Sequence, residues 1–544
     1  MLTRILRFYV RQYVPVFGAI ALCTSPCKAQ PAQVTAPVLR PPFVFGAYPN
    51  STVILPITAH AQGQVSYSAV HLPAGLHISH TTGSITGLTT HRGVFHFSVT
   101  ASNFKGRMTH EYTLNVGSRV ALTPPMGWNS YDYYGDRVNE AQVLINAQYL
   151  HRYLQQFGWN TIVVDYRWYD GNADPEPDNG APGESLSMDR YGRLIPAADR
   201  FPSAGSSNGF RLLASRLHAM GLRFGIHIMR GIPRLAVEEN LPIAGSKFHA
   251  RDAANMHDNC SWCPDMYGVR GNTPAGRAYY LSIFKLYASW GVDFVKMDDT
   301  SQPYHTDEIN AVHDAILHCG RSITLSLSPG ETPIQDGSHV MMRANMWRVS
   351  GDFWDNWMSL DHEFTLARRW QDYVGPGHWP DADMLPLGHL SMGGRPVGPD
   401  RMTNFTVDEQ RMLLSFWSLL PSPLMLGGFL PDLPAVTRQM LDNPLLIAIN
   451  QDSAGRPARL IGNAGPLEIW ARQLSGGKEA VGFFNRGPKL AKLNVSLATL
   501  GIKATSLAIN VWDDSKTKVT TNGRVGGVLA PHSAALFLLT VQRK

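Results

Sequence analysis

Gly291-Val-Asp-Phe-Val-Lys-Met-Asp-Asp-Thr300 is an apolar run that ends abruptly in two carboxylates. Its β-branched and aromatic content from Val292 to Met297 predicts a short buried strand. Side chains alternate along a strand, so Phe294, Lys296 and Asp298 share one face and Asp299 lies on the other. A lysine two residues before an aspartate sets a cation beside an acid. That keeps Asp298 ionised and available as a nucleophile. An isolated Lys-x-Asp is more often a salt-bridged strand end, so the surrounding chain has to decide.

Outward from this stretch, strands alternate with amphipathic helices from Leu122 onward. Strands are expected at 126–130, 161–166, 223–228, 294–298, 323–327, 346–350, 382–385 and 423–426. A helix is expected over 140–157, with Val143, Leu144, Ala147, Leu150 and Leu154 as its apolar stripe and Gly158 as its stop. Thr406-x-x-Glu409 reads as a capping box that opens another helix. Eight such alternations over 122–435 fit a (β/α)8 TIM barrel better than an open sheet.

The flanks are different. Residues 40–117 carry short alternating segments punctuated by Leu72-Pro-Ala-Gly75 and Thr81-Thr-Gly83, the pattern of a small β-sandwich. Residues 456–544 return to all-β, with a hairpin expected around Ser475-Gly-Gly477, and read as a C-terminal antiparallel β-sandwich. The expected fold class is therefore multidomain, a central barrel between two β-domains. Residues 1–29 have a basic start, an apolar run too short to span a bilayer and a small-residue exit at Cys27-Lys28-Ala29, which predicts a signal peptide and a secreted or periplasmic protein. No later segment is long and apolar enough to anchor the chain in a membrane. The formal charge of +6 includes Arg4, Arg7, Arg11 and Lys28 of this leader, which leaves +2 and no case for a nucleic-acid partner. Cys260-x-x-Cys263 lacks the second pair of a zinc site and is expected as a small local disulfide, with Cys319 buried and free.

In a barrel, polar residues at the C-terminal ends of the strands converge on one face. Here they are Trp128, Asp165, His227, Lys296, Asp298, Arg348, Asp352, Asp381 and Asp383. Several carboxylates with one lysine, one arginine and flanking aromatics suit a polyhydroxylated ring, since carboxylates accept from hydroxyls and aromatic faces stack on C–H surfaces. A phosphate would call for a Gly-rich loop before a helix, and a hydrolytic metal would call for clustered histidines, which His227 alone does not supply. No metal and no cofactor is expected.

Thr123-Pro-Pro-Met-Gly-Trp-Asn-Ser130, Phe294-Val-Lys-Met-Asp298, Trp347-Arg-Val-Ser-Gly-Asp352 and Gly377-His-Trp-Pro-Asp-Ala-Asp-Met384, in this order, resemble glycoside hydrolase family 27, the α-galactosidase family of clan D. Ile469-Trp-Ala-Arg and Val481-Gly-Phe-Phe-Asn-Arg486 extend the resemblance into the C-terminal domain, and the N-terminal segment is similar to immunoglobulin-like modules of secreted bacterial enzymes. The resemblance implies a retaining hydrolase of oligo- or polysaccharides, with Asp298 as nucleophile and Asp352 as acid/base, the latter kept protonated by burial near Trp347 and by the charge of Asp298. It implies sugar contacts at Trp128, Asp165, Lys296, Arg348 and Asp383, with Asp381 beside them.

The sequence departs from the family at several strand ends. Where the family has two adjacent aspartates holding O4 and O6 of galactose, this chain has Asp165-Tyr166. A family tyrosine is His227, a Cys-Glu pair becomes Ser328-Pro-Gly-Glu331, and the family cysteine after the nucleophile is Thr300, so its disulfide to the preceding loop is lost. An α-galactoside is the leading substrate, with His227 or Arg230 expected to take over the contact that Tyr166 cannot make. β-L-Arabinopyranosidase and isomalto-dextranase specificities also occur in the family. A catalytically inactive sugar-binding barrel is the reading from another class, and the retention of both Asp298 and Asp352 argues against it.

Overall fold

In the computed structural model of the protein, the described residues are 35–171, 186–205, 208–394, 397–465, 467–501, 505–513, 516–517 and 523–541. The leader expected at 1–29 lies outside them. Eight parallel strands form the central sheet: β1 Met126–Asn129, β2 Thr161–Val164, β3 Arg223–Met229, β4 Phe294–Asp298, β5 Thr324–Leu327, β6 Met346–Arg348, β7 Trp379–Asp381 and β8 Leu424–Leu426. They run in the order β7-β6-β5-β4-β3-β2-β1-β8, and the sheet curls. A parallel bridge between Leu385 and Leu426, with Leu385 N–H donating to the Met425 carbonyl at 2.7 Å, joins the segment after β7 to β8.

That segment corrects the expected seventh strand at 382–385. The strand lies three residues earlier, because Asp383 turns into the left-handed region at φ +80 and cannot continue an extended ladder. The alternation expected along β4 is present. Phe294 joins Val163, Met346, Trp379 and Met425 in a cluster inside the sheet's curl, while Val295 and Met297 belong to the layer that packs under the helices.

The expected helix after β1 begins as α1 Glu140–Tyr149, with a capping box in which the Asn139 side chain and Gln142 satisfy each other's backbone N–H groups. It continues as a π-turn over Leu150–Leu154 and a 3₁₀-turn over Gln155–Phe157 before Gly158 stops it at φ +110. Val143, Ala147, Leu150 and Leu154 are wholly buried, as the stripe predicted. The helix Val407–Leu419 carries the capping box at Thr406 and Glu409.

β4 is tied at its N-terminal end by Asp293, which is 1% exposed and accepts from Arg321 at 2.6 Å, His218 at 2.8 Å and the Phe224 N–H at 2.9 Å. Removing one partner of a buried charge network leaves the others unpaired and costs about 3–5 kcal/mol. Asp293→Ala is therefore expected to lower unfolding stability by about that amount in a denaturant titration.

The N-terminal module is a sandwich of a four-stranded sheet (Val44–Ala47, Gly106–Val116, Gly93–Asn103, Ser66–Val70) and a three-stranded one (Ser51–Leu55, Ile85–Thr89, Leu76–Ile78) around Ile85, Phe97, Val99, Tyr112 and Leu114. It docks on the end of the sheet where the strands begin. Thr52 exchanges backbone hydrogen bonds with Gly320 and Ser322, just before β5, at 2.9 and 3.0 Å, and His60 meets Gln156, before β2, at 2.9 Å. The C-terminal domain is antiparallel, a six-stranded sheet faced by the pair Ala491–Ser496 and Arg524–Leu529, and it contains the expected hairpin Leu467–Gln473 and Lys478–Asn485. It packs on the barrel through Phe416, whose ring centroid lies 5.3 Å from those of Trp470 and Phe484. No helix among the described residues is long and apolar enough to cross a membrane.

Candidate active site

At the C-terminal ends of the strands lies a cavity of about 650 Å³, into which Asp165, Lys296, Asp298, Arg348, Asp352 and Asp383 all project. Tyr131, Tyr166, Trp262 and Trp354 supply its aromatic walls. The sequence-expected acids and cations therefore converge, although they come from four different strand ends.

Asp298 ends β4. Its Oδ2 accepts from His227 Nε2 at 2.9 Å, and its Oδ1 accepts from the Ser328 hydroxyl at 3.1 Å and from the Asp299 N–H at 3.0 Å. Burial opposes ionisation, but the His227 hydrogen bond, followed by the electrostatic effects of His227 and Lys296, outweighs it and holds the carboxyl below its ordinary value. Lys296 helps to keep Asp298 ionised, as expected, but is not its hydrogen-bond partner. Lys296 Nζ forms its ion pair with Asp165 at 3.1 Å, and histidine supplies the direct contact to Asp298. The register explains this, since His227 lies opposite Lys296 on adjacent strands and both reach the same strand-end layer.

Asp165 is 1% exposed and also accepts from Asn129 Nδ2 at 2.5 Å and from the Tyr166 N–H at 2.9 Å. Burial alone would raise its pKa, yet Lys296, His227 and these donors bring it down to about 2. On the opposite wall, Arg348 pairs with Asp383 at 2.8 Å and with Asp352 at 3.3 Å, and the Phe353 N–H donates to Asp383 at 2.9 Å. Asp381 lies under the floor, where its Oδ1 accepts from the Asp383 N–H at 3.0 Å. It supports Asp383 and does not line the main cavity. Burial, then the neighbouring Asp383, pushes its carboxyl up to about 7.

Four further expectations need correction. Asp352 is not buried beside Trp347: its side chain is 64% exposed at the rim, whereas Trp347 points to the other face of β6 and packs on Trp370. Trp128 is fully buried and donates its indole N–H to the Gly428 carbonyl at 2.8 Å; the aromatic that reaches the cavity from this segment is Tyr131. His227 and Arg230 are 0% and 3% exposed, engaged with carboxylates and absent from the cavity wall, so neither takes over the missing sugar contact. Cys260 and Cys263 are free thiols with separate partners, Cys260 beside Asp299 and Cys263 3.7 Å from Asp265. Cys319 is free and partly buried.

Tyr166 stands where the family's second aspartate is expected. Its phenol lies beside the Cys263 thiol, and its ring packs edge-on to His227 at 5.4 Å and tilted against Trp262 at 5.9 Å. The wall here is aromatic. Trp262 is 46% exposed at the mouth. Asp132 was also missed by sequence reasoning. It is 3% exposed in the cavity wall, and burial and then Asp383 raise its carboxyl well above the ordinary range. Tyr131 and Asp132 follow the Trp-Asn-Ser motif directly, which is the signal that could have found them. Glu331 is turned outward toward His362 at 3.6 Å, and Pro329 and Gly330 form the wall instead.

Among known proteins, the family model described as Alpha galactosidase A matches residues 265–452 and that for the Alpha galactosidase C-terminal beta sandwich domain matches 464–539. A model described as "Putative Ig domain" matches residues 36–117. The solved structure of a β-L-arabinopyranosidase of glycoside hydrolase family 27 from Geobacillus stearothermophilus is 44% identical, covering 77% of this chain and 97% of that one with a TM-score of 0.73. Alpha-galactosidase 2 of Arabidopsis thaliana is 28% identical, over 81% of this chain and 93% of its own. Alpha-galactosidase A of Cellvibrio japonicus is 28% identical, over 68% of this chain and 77% of its own.

Proposed function

The chain belongs to glycoside hydrolase family 27 and is a glycosidase, and from that premise we propose that it is a retaining exo-enzyme for galacto-configured pyranosides that prefers β-L-arabinopyranosides over α-D-galactosides. The observation that carries the preference is Tyr166. β-L-Arabinopyranose has the ring configuration of α-D-galactopyranose and lacks its C6 hydroxymethyl group. Asp165, Lys296, Arg348 and Asp383 keep the polar contacts of a galacto-configured ring. The acceptor for an exocyclic hydroxyl has become an aromatic wall whose own hydroxyl is uncharged and lies beside the Cys263 thiol. Neither His227 nor Arg230 lines the cavity, so neither makes good the loss. The 44% identity to a β-L-arabinopyranosidase supports the same reading.

In the mechanism, Asp298 attacks the anomeric carbon while Asp352 protonates the departing glycosidic oxygen, giving a glycosyl ester on Asp298. Water, deprotonated by Asp352, then displaces the carboxylate from the same face on which the aglycone left, with net retention. The His227 and Ser328 hydrogen bonds fit Asp298 for this role, because they hold it ionised with both oxygens oriented. The exposure of Asp352 at the rim supports its role as the group that meets both aglycone and water.

A burying site that leaves a sugar hydroxyl unpaired loses about 1–3 kcal/mol, or roughly 10–100-fold in kcat/KM. p-Nitrophenyl β-L-arabinopyranoside is accordingly expected to be cleaved at least about tenfold better than the α-D-galactoside. Tyr166→Asp is expected to move that ratio toward the galactoside by a similar factor, as steady-state kinetics on the two substrates would register. The α-galactosidase reading is favoured instead by the curated relatives named above; a wild-type preference for the α-galactoside would establish it and dispose of ours.

A further inference from the structure

Arg230 opens the loop after β3, is 3% exposed and takes no part in the cavity wall. Its guanidinium is surrounded by three carboxylates. Nε donates to the Asp299 carbonyl at 2.9 Å and to Asp299 Oδ2 at 3.2 Å, and Nη2 donates to the same Oδ2 at 2.8 Å. Nη1 reaches Glu308 at 2.7 Å and Asp258 at 3.0 Å, and Nη2 reaches the other Asp258 oxygen at 3.1 Å. The Arg230 backbone N–H donates to the Asp298 carbonyl at 3.0 Å. Asp258, His305 and Glu308 have donor atoms close enough together to hold a metal ion. The guanidinium already lies against two of them, so the cation of this cluster is the arginine itself.

These contacts bear on the nucleophile. Asp299 sits in the left-handed region at φ +62, a strained place for a residue with a Cβ, although aspartate tolerates it better than most. The turn brings its N–H back onto Asp298 Oδ1 at 3.0 Å. Arg230 grips Asp299 at both its carbonyl and its carboxylate, and Asp299 in turn holds one oxygen of Asp298.

We infer that Arg230 is a positioning residue for the glycosylation step, acting through Asp299 to fix the Asp298 carboxylate in the line of attack. The ionic link ties the loop after β3 to the strand end, the join for which Thr300 leaves no cysteine. The inference rests on Asp298 being the nucleophile, and Asp298→Asn tests that separately.

Arg230→Lys keeps the charge but not the planar fork that reaches three acids at once. In the full-length enzyme, on a p-nitrophenyl glycoside whose cleavage by the wild type shows no burst, so that glycosylation limits turnover, kcat is expected to fall about 10–100-fold. KM should stay within about threefold, because the pocket wall is untouched. A folded Arg230→Lys enzyme with wild-type kcat overturns the inference. If that variant does not fold, Asp299→Asn decides, since it removes the carboxylate that Arg230 grips at 2.8 Å and keeps the backbone N–H that reaches Asp298. There kcat should drop about 3–10-fold at constant KM, and an unchanged kcat again overturns the idea. Asp293→Asn, at the far end of β4, is the control, with a lower melting temperature and kcat within about twofold of wild type. A kcat loss there equal to that of the arginine variant would mean general loosening of the strand and would count against positioning.

Discussion

Asp298→Asn is expected to abolish turnover and leave the fold intact. The amide fills the volume of the carboxylate and can still meet His227 and Ser328, which now hold it at 2.9 and 3.1 Å. It cannot form the glycosyl ester, so the enzyme loses the covalent step and not merely an interaction. Removing a nucleophile of this kind costs on the order of 10⁴–10⁶-fold in kcat. The measurement is kcat on an activated aryl glycoside, with circular dichroism and a melting curve to show that the variant is folded. A folded variant that retains a tenth of wild-type activity would remove Asp298 from the mechanism. Asp299 could not easily replace it, since its carboxylate is bound to Arg230 at 2.8 Å.

The second large effect belongs to Asp352→Ala and depends on the leaving group. A general acid contributes roughly 10²–10⁴-fold where the departing oxygen is basic, and little where it is a good leaving group. For alkyl or disaccharide substrates, kcat/KM should fall by that full factor. For a dinitrophenyl glycoside it should fall by less than about tenfold, because kcat/KM reports only as far as the first irreversible step. Deglycosylation of the activated substrate then becomes slow for want of a base, and azide should restore kcat and yield a glycosyl azide of retained configuration. An equal loss on both substrate types would make Asp352 a binding residue, a role its 3.3 Å contact with Arg348 could also serve.

What was legible in the sequence was whatever follows from local periodicity. The eight strand positions and their inward parity could be read because each strand is a short apolar run, several of them with an acid or base at the end. The seventh slipped by three residues because the left-handed turn at Asp383 has no signature when the residue is not glycine. Asp165, Lys296, Arg348 and Asp383 could be placed because strand ends converge whatever the loops do. The partners of these groups could not be read. The role of His227 depends on a residue 71 positions away, and the cage around Arg230 on acids 28 to 78 positions away. The choice between Trp128 and Tyr131 as the cavity aromatic turns on which one lies past the strand's end, and a boundary shift of one or two residues reverses it. The Cys260 and Cys263 spacing permits a disulfide, and only the separate partners of the two thiols rule it out here.

The N-terminal sandwich grips the barrel at Gly320, Ser322 and Gln156, where strands begin, and the cavity opens where they end. The molecule thus has a handle at its back and a mouth at its front. A support coupled to the outer end of the module would leave the mouth facing outward, open to substrate from solution.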